Sequence, residues 1–253
     1  MVALALVCLL APARAQQVAP PLRPVVLATY PHDARAFTQG LQLHDGALYE
    51  STGLYGRSSL RQVEIGTGKV LRQIELPKTQ FGEGLAWVDG TLVQLTWKEG
   101  VASVYDPKTF EKLREHRYTG EGWGLCFDGT QLIQSDGSHK LTFRDPVTFA
   151  VTRQLPVIYD GQPLEALNEL ECVGDRVYAN IWMTDRIVEI AKHSGAVTAV
   201  IDAGQLLTRE ERTRIGPNAI LNGIAHDPSN NTFLVTGKLW PKLFRVRFAP
   251  ATP

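Results

Sequence analysis

The feature that most constrains the fold of this chain is a short motif that occurs five times at nearly even spacing. When the copies are aligned on one anchor position, successive anchors lie 44, 40, 45 and 54 residues apart. A period near 45 residues predicts a repeat architecture, in which equivalent positions lie at equivalent places around an axis. The copies are FTQGL at 37–41, FGEGL at 81–85, EGWGL at 121–125, LNELE at 167–171 and LNGIA at 221–225, with anchors at Gly40, Gly84, Gly124, Glu169 and Gly223.

Each repeat contains four short strand patterns. A turn pair follows the anchor motif, as in HDGALY at 44–49, and Asp-Gly between alternating apolar residues is a strong hairpin signal. A third and a fourth strand pattern come before the next anchor, for example LRQVEI at 60–65 and KVLRQIEL at 69–76. Four short antiparallel strands in a unit of this length are typical of a propeller blade.

The two ends of the chain fit this arrangement. The last repeat ends after three strand patterns, at Phe248, while an unassigned strand pattern, PVVLATY at 24–30, precedes the first anchor. We expect this segment to pair with the last repeat and leave no open edge there. The predicted fold class is all-β, a five-bladed β-propeller with the N-terminal strand completing the last blade. Within the long fourth spacing, Thr208 and Glu211 form a capping-box pattern that predicts a short surface helix.

The first residues read as an export signal. The apolar run VALALVCLL is too short to span a membrane, and Ala13-Arg14-Ala15 fits a small-x-small cleavage site. We therefore expect a signal peptide over 1–15, an N-terminal tail over 16–24 and a single catalytic propeller domain over 25–253. The protein is expected to be periplasmic or secreted, free of the membrane after cleavage, and monomeric.

Composition agrees with a turn-rich all-β domain, with 44% hydrophobic residues, 22 Gly and 15 Pro. The formal net charge is zero, so no basic field is present to attract nucleic acid, and we expect no nucleic-acid partner. Export would leave Cys126 and Cys172, each close behind an anchor. They could form a disulfide in an oxidising compartment or remain two buried thiols, and the sequence leaves both open.

Two sets of chemically varied residues recur at fixed places in the repeats. The residue before each anchor is Gln39, Glu83, Trp123, Asn168 or Asn222. A second set, 12 to 15 residues after the anchors, comprises Trp97, Asp136, Trp182 and Lys238. A hairpin of that length returns the chain to the same end of the blade, so both sets can face one pocket. Asn222 and Asp136 also fit turn chemistry, and we interpret them as structural.

Common catalytic signatures are absent. The histidines are scattered, no HExxH or paired-Cys motif occurs, and neither a GxSxG elbow nor a Gly-rich phosphate loop is present. We therefore expect no metal site and no cofactor. What remains at the predicted pocket is one carboxylate, Glu83, among amides, tryptophans and a lysine.

Taken together, these motifs resemble the glutaminyl cyclases of the plant and bacterial type. FTQGL, FGEGL, the Trp of QLTWKEG, GEGWGL, LNELE, LNGIAHD and VTGKLWPKLF match in order over roughly residues 25–248. The resemblance implies a five-bladed propeller that converts the N-terminal glutamine of peptides or proteins to pyroglutamate with release of ammonia. It implies an acyltransferase-type enzyme distinct from the zinc-dependent animal enzymes. The site residues it implies are Glu83 and Lys238 as catalytic groups, and Phe37, Gln39, Phe81, Trp97, Trp123, Asn168 and Trp182 for substrate binding.

The reaction gives each group a role. Glu83 is the hypothesised proton shuttle, with a pKa raised by burial among aromatic side chains. Gln39 and Asn168 can hydrogen-bond the substrate amide, and a tryptophan indole or Lys238 can stabilise the oxyanion. The competing interpretations are a structural role for Glu83, tryptophans that only fill the channel, and an exported propeller that binds partners without catalysis.

Overall fold

The computed structural model of the chain describes residues 19–251, so the predicted signal peptide over 1–15 lies outside the described residues. Regular structure is almost entirely β. The first strand, β1 (Pro21–Pro31), begins inside the segment predicted as a tail over 16–24, so the folded part starts before the predicted boundary at residue 25. Within residues 19–251 no helix has the length and apolar character that a membrane crossing requires.

Three four-stranded antiparallel sheets follow, and each is built from consecutive strands, as the turn pairs predict. Their strands are β2 (Thr38–His44), β3 (Ala47–Thr52), β4 (Ser59–Val63) and β5 (Val70–Glu75) in the first group; β6 (Gly82–Val88), β7 (Thr91–Thr96), β8 (Val101–Tyr105) and β9 (Lys112–Arg117) in the second; and β10 (Leu125–Phe127), β11 (Leu132–Gln134), β12 (Lys140–Arg144) and β13 (Val151–Pro156) in the third. A two-stranded hairpin that the sequence did not predict, β14 (Ile158–Tyr159) and β15 (Gln162–Pro163), comes next.

The fourth and fifth groups complete the chain. The fourth contains β16 (Leu167–Val173), β17 (Arg176–Ile181), β18 (Arg186–Ala191) and β19 (Val197–Asp202), and the fifth contains β20 (Leu221–Asp227), β21 (Thr232–Gly237) and β22 (Lys242–Pro250). Between them lies the helix α1 (Arg209–Ile215), which begins with the predicted capping box of Thr208 and Glu211. The predicted surface helix is therefore confirmed.

The N-terminal strand β1 pairs antiparallel with β22, which confirms the predicted pairing of the two chain ends. It also pairs in parallel with β19 through Pro21 and Leu22, a contact that the sequence did not predict. Because β1 bonds on both sides, the fourth and fifth groups join into one eight-stranded sheet, in the order β16-β17-β18-β19-β1-β22-β21-β20.

The hydrophobic core lies between the groups. The first strands of the five groups are β2, β6, β10, β16 and β20. Each contacts the first strand of the next group, and β20 contacts β2, which closes a ring. Each of five buried clusters joins two adjacent groups, as where Leu60 of the first group packs with Leu92 of the second. Burial falls from the ring outward: β8 is buried throughout, whereas β9 is mostly exposed. No group therefore buries its apolar surface without its neighbours.

The centre of the ring leaves no room for a side chain at three of the five anchors. A Cβ added to Gly40 would lie 2.6 Å from the backbone nitrogen of Leu85, and one on Gly84 would lie 2.5 Å from that of Leu125. A Cβ on Gly124 would lie 2.1 Å from the Asn168 carbonyl oxygen. Glycine is required at these anchors because the backbone of the next first strand occupies the space of a side chain.

The fourth anchor, Glu169, uses the ring centre differently. Its carboxylate accepts hydrogen bonds from the backbone nitrogens of Leu41 (3.2 Å) and Ile224 (2.8 Å), the residues that follow the anchors Gly40 and Gly223. One side chain thus bridges three of the five first strands.

A disulfide joins Cys126 on β10 to Cys172 on β16, with their Cα atoms 5.5 Å apart. Of the two states that the sequence left open, the structure has the disulfide. It links the third and fourth groups and closes a segment with a sequence separation of 46 residues. A loop of this length corresponds to about 4 kcal/mol of chain-entropy stabilisation.

We predict that Gly124→Ala lowers the free energy of unfolding by about 3 kcal/mol or more, because the new methyl group meets backbone that cannot rotate away. Chemical denaturation followed by tryptophan fluorescence measures the change. The matched control is Gly66→Ala, where an added Cβ meets nothing within 4 Å. Equal stability of the two variants would contradict the close approach at the ring centre.

Candidate active site

Nine side chains line a cavity of about 290 Å³ at one end of the ring, which we call the cup. They are the nine residues that the sequence nominated: Phe37, Gln39, Phe81, Glu83, Trp97, Trp123, Asn168, Trp182 and Lys238. The two sets of repeat positions therefore meet in one pocket, although Asn222 and Asp136 do not line it.

Two kinds of strand end supply the cup. Gln39, Glu83 and Asn168 lie at the starts of first strands, and Phe37, Phe81 and Trp123 lie just before such strands. Trp97, Trp182 and Lys238 each follow directly after a second strand. Because the first two strands of a group run antiparallel, the start of one and the end of the other lie at the same edge of the sheet.

A bulge in the first strand accompanies these positions. The register between the first two strands shifts between Thr38 and Gly40, between Gly82 and Leu85, and between Leu167 and Leu170. The shifted segments contain Gln39, Glu83 and Asn168. Since a bulge re-aims a side chain without ending the strand, it can turn these polar groups toward the cup.

Glu83 is the buried acid of the cup, with only 4% of the residue exposed. Its Oε1 accepts a hydrogen bond of 2.9 Å from Nε2 of Gln39. Burial raises the pKa of Glu83 well above the usual value for a carboxyl group; the positive charge of Lys238 acts against this, and the negative charges of Glu121 and Glu99 add to it. The carboxyl group therefore keeps its proton to a higher pH than an ordinary glutamate does.

Lys238 is the buried cation of the cup. Burial lowers the pKa of its ammonium to about 8, although the nearby Glu83 opposes this shift. Its Nζ lies 5.0 Å from the centre of the Phe37 ring, at the distance of a cation–π contact. The lysine can therefore be charged at neutral pH while lying beside an aromatic wall.

The amides of the cup differ in how they are bound. Asn222, interpreted from the sequence as structural, lies behind Gln39 and donates to its Oε1 (3.2 Å) and to the Thr38 carbonyl (2.9 Å). Both ends of the Gln39 amide thus have protein partners. By contrast, the buried Oδ1 of Asn168 has no hydrogen-bond partner among residues 19–251, so it is the amide oxygen that can accept from a ligand.

A buried ion cluster supports the strand that carries Gln39. Glu50 accepts from Thr38 Oγ1 (2.6 Å) and from Nε of Arg61 (2.9 Å), and it pairs with His32 at 3.1 Å. Although burial acts to raise the pKa of Glu50, the charges of His32 and Arg61 lower it to about 2. His32 Nδ1 also bonds the Trp240 carbonyl at 2.7 Å, so the cluster joins the Phe37 side of the cup to the Lys238 side.

Glu121 is a residue at the site that the repeat positions did not predict. Its Oε2 accepts the indole N–H groups of both Trp97 (2.7 Å) and Trp123 (2.9 Å), and Lys98 lies 3.6 Å from its other oxygen. Burial acts to raise the pKa of Glu121, but these indole hydrogen bonds and Lys98 lower it overall. The sequence signal for Glu121 is its place in EGWGL, two residues before Trp123, but it lies outside the recurring position before the anchor.

This arrangement bears on the expectation that a tryptophan indole could stabilise an oxyanion. The indole N–H groups of Trp97 and Trp123 already bond Glu121. Their rings form walls of the cup. Trp97 packs edge-on to Phe81 with 5.6 Å between the ring centroids, and Trp123 packs edge-on to Trp182 with 5.5 Å between the ring centroids. Asp136 accepts from the backbone and hydroxyl of Ser138, which agrees with its interpretation as a turn residue.

Among residues 19–251, the other buried carboxylates do not line the cup. Glu169 and Glu171 accept backbone N–H groups within the sheets. Across residues 19–251 no three His, Cys, Asp or Glu side chains are grouped so that they could hold a metal ion. The cup itself combines a buried carboxyl group of raised pKa, a lysine and an unpaired amide oxygen between aromatic walls, which suits a small polar group as ligand.

Comparison with known proteins gives a consistent result. A family model described as glutamine cyclotransferase matches residues 1–248. A glutaminyl-peptide cyclotransferase from Arabidopsis thaliana is 40% identical over 230 residues, which is 90% of this chain and 72% of the relative. The crystal structure of Myxococcus xanthus glutaminyl cyclase superposes with a TM-score of 0.87 at 40% identity, covering 92% of this chain and all of that one.

We predict that Glu121→Ala releases the two indoles, lowers stability by about 1–2 kcal/mol and changes the tryptophan fluorescence and near-ultraviolet circular dichroism. Glu121→Gln keeps an oxygen acceptor and is expected to preserve most of both spectra. Identical spectra for the alanine variant and the parent protein would contradict the shared hydrogen bonds.

Proposed function

The chain belongs to the glutamine cyclotransferase family, and from this premise we propose that it converts N-terminal glutamine of peptides and proteins to pyroglutamate with release of ammonia. The observation that carries the proposal is the buried Glu83, hydrogen-bonded to Gln39 within a cup that also holds Lys238. A proton carrier of raised pKa beside a cation is what this reaction needs.

We further propose that the five groups are the blades of a five-bladed β-propeller. The closed ring of first strands, the four-stranded antiparallel groups and the pairing of β1 with β22 support this architecture. The cup would then lie at one end of the central channel, where every blade can contribute a side chain.

In the first chemical step, the α-amine nitrogen of the substrate attacks the carbonyl carbon of its own side-chain amide. Glu83, as carboxylate, accepts the proton that the amine loses as the new C–N bond forms. The carbonyl oxygen takes up the negative charge, and the Lys238 ammonium supplies the compensating positive charge. Because the attack is intramolecular, holding the glutamine folded supplies much of the rate.

In the second step, the tetrahedral intermediate collapses and the bond to the original amide nitrogen breaks. Glu83 returns its proton to that nitrogen, which leaves as ammonia, so the carboxylate is regenerated and one group serves both transfers. Gln39 orients the carboxylate through its 2.9 Å hydrogen bond. Asn168 Oδ1 can accept an N–H of the substrate, and the aromatic walls exclude water.

Several finer assignments belong to the same proposal. Each proton and charge in these steps has a side chain to receive it, so we propose that the reaction needs no metal ion. We also propose that the enzyme is an acyltransferase. We retain export after removal of residues 1–15, a single domain and a monomeric protein as proposals from the sequence. The alternative is a propeller that binds partners without catalysis, and turnover assays separate the two.

We predict that the protein releases ammonia from glutamine β-naphthylamide and that Glu83→Gln lowers kcat by about 10²–10⁴-fold, as expected for loss of a general acid–base group. The amide keeps the shape and the hydrogen-bond capacity of the site, so the thermal midpoint should change little. An enzymatic ammonia assay measures turnover, and circular dichroism measures folding.

Two results would count against this assignment. A folded parent protein without turnover would favour the binding module. A Glu83→Gln variant that retains activity but loses much stability would favour a structural role for the carboxylate.

We predict a bell-shaped dependence of kcat/KM on pH, because kcat/KM reports the groups of the free enzyme. Activity should rise as Glu83 loses its proton, at a pH above that of an ordinary glutamate, and fall near pH 8 as Lys238 loses its charge. In Lys238→Arg the alkaline limb should move to higher pH, because guanidinium stays charged. An alkaline limb at the same pH in both proteins would remove Lys238 from this role.

A further inference from the structure

A second cavity, of about 490 Å³, lies between the turn after β17 and the helix α1. We call it the rim groove. Its lining comes from the turn, from the helix and from the segment that leads into β20, and includes Met183, Asp185, Arg209, Arg212 and Ile220. None of these residues lines the cup, so neither the proposed chemistry nor the cup explains the groove.

The rim groove and the cup share one wall at the turn after β17. The turn is closed by Thr184, whose backbone nitrogen donates to the Ile181 carbonyl at 3.1 Å. Of its two central residues, Trp182 lines the cup and Met183 lines the groove. Consecutive Cα atoms are about 3.8 Å apart, so Trp182 and Met183 are separated by about the length of one residue. A bound peptide that leaves the cup over Trp182 therefore reaches Met183 within about one of its own residues.

The two cavities also meet at the segment that leads into β20. The Ile220 carbonyl of the groove accepts a hydrogen bond of 2.8 Å from the backbone nitrogen of Lys238, whose side chain lies in the cup. At two places, therefore, a residue of the cup is adjacent or hydrogen-bonded to a residue of the groove. The groove is thus a direct neighbour of the cup.

The groove offers both an apolar and a charged surface. Met183 is 61% exposed, and its flexible thioether can pack against varied side chains. Arg212 is bound to Asp185 at 2.9 Å, which ties the helix to the turn and fixes the width of the groove. Arg209, about one turn earlier on the helix, is exposed at the edge of the groove and is not part of the Arg212–Asp185 ion pair.

We propose that the rim groove binds the residues that follow the N-terminal glutamine of a peptide substrate, and that Arg209 favours acidic side chains among them. The proposal rests on the proposed function, because only a substrate anchored in the cup would extend into the groove. An extended peptide advances about 3.3–3.6 Å per residue, so the first few residues after the glutamine suffice to enter it. The insertion that lengthens the fourth spacing to 54 residues carries α1 and thus builds the outer wall.

The test compares three substrates: glutamine β-naphthylamide and the hexapeptides Gln-Ala-Asp-Ala-Asp-Ala and Gln-Ala-Lys-Ala-Lys-Ala. The variant is Arg209→Glu, and the matched control is Arg214→Glu, which makes the same charge change on the same helix at a residue that does not line the groove. Met183→Ala tests the apolar part. The quantity measured is kcat/KM for each hexapeptide divided by that for the naphthylamide, and circular dichroism checks folding.

The parent protein should prefer the acidic hexapeptide over the lysine hexapeptide. Arg209→Glu should lower the ratio for the acidic peptide by about three- to ten-fold, as expected when one exposed attraction becomes a repulsion. Arg214→Glu should leave that ratio within about two-fold of the parent, and Met183→Ala should lower the ratio for both hexapeptides.

Two results would overturn the proposal. The first concerns a parent protein that turns over the naphthylamide. If this protein shows no preference between the hexapeptides, or if Arg209→Glu and Arg214→Glu give equal ratios for the acidic hexapeptide, the groove proposal alone is overturned. Absence of ammonia release from every substrate by the folded parent protein would overturn the groove together with the proposed function.

Discussion

Backbone contact between first strands at the ring centre is the constraint on which the rest of the structure depends. At Gly84 and Gly124 the next first strand lies where a side chain would begin, and at the fourth anchor the carboxylate of Glu169 binds two other first strands. The apolar clusters between the groups can form only when the first strands lie this close to one another. The ring is therefore held at its centre by backbone fit and around it by hydrophobic burial.

The same central packing places the candidate chemistry. The bulges that accompany Gln39, Glu83 and Asn168 occur directly beside the anchors, so in these repeats the residue that lines the cup is adjacent to the residue that packs at the ring centre. The residues that pack the ring and the residues that line the cup are therefore neighbours in the sequence. A change at an anchor would disturb both the ring and the cup, whereas a change at the preceding residue would alter mainly the cup.

Electrostatics then distinguish the carboxylates. Glu50 is buried with His32 and Arg61 and stays ionised, with a pKa lowered to about 2. Glu83 is buried beside a single lysine, and its pKa is raised. Glu121 binds two indoles at the partly exposed mouth, and its pKa is lowered. The same functional group thus braces a strand, has a raised pKa in the cup or fixes aromatic walls, according to the partners that the fold provides.

The sequence alone determined the repeat, the four strands per group, the pairing of the chain ends, the capped helix and seven of the nine residues of the cup, because turn chemistry and periodicity are local. Phe37 and Phe81 came from the resemblance of the motifs to a known family. Only the tertiary structure decided the parallel contact between β1 and β19, the disulfide, the hydrogen bond that joins Trp97 to Glu121 and the burial of Glu83 beside Lys238. These depend on distances between residues separated along the chain, such as Glu83 and Lys238, and no local pattern encodes such distances.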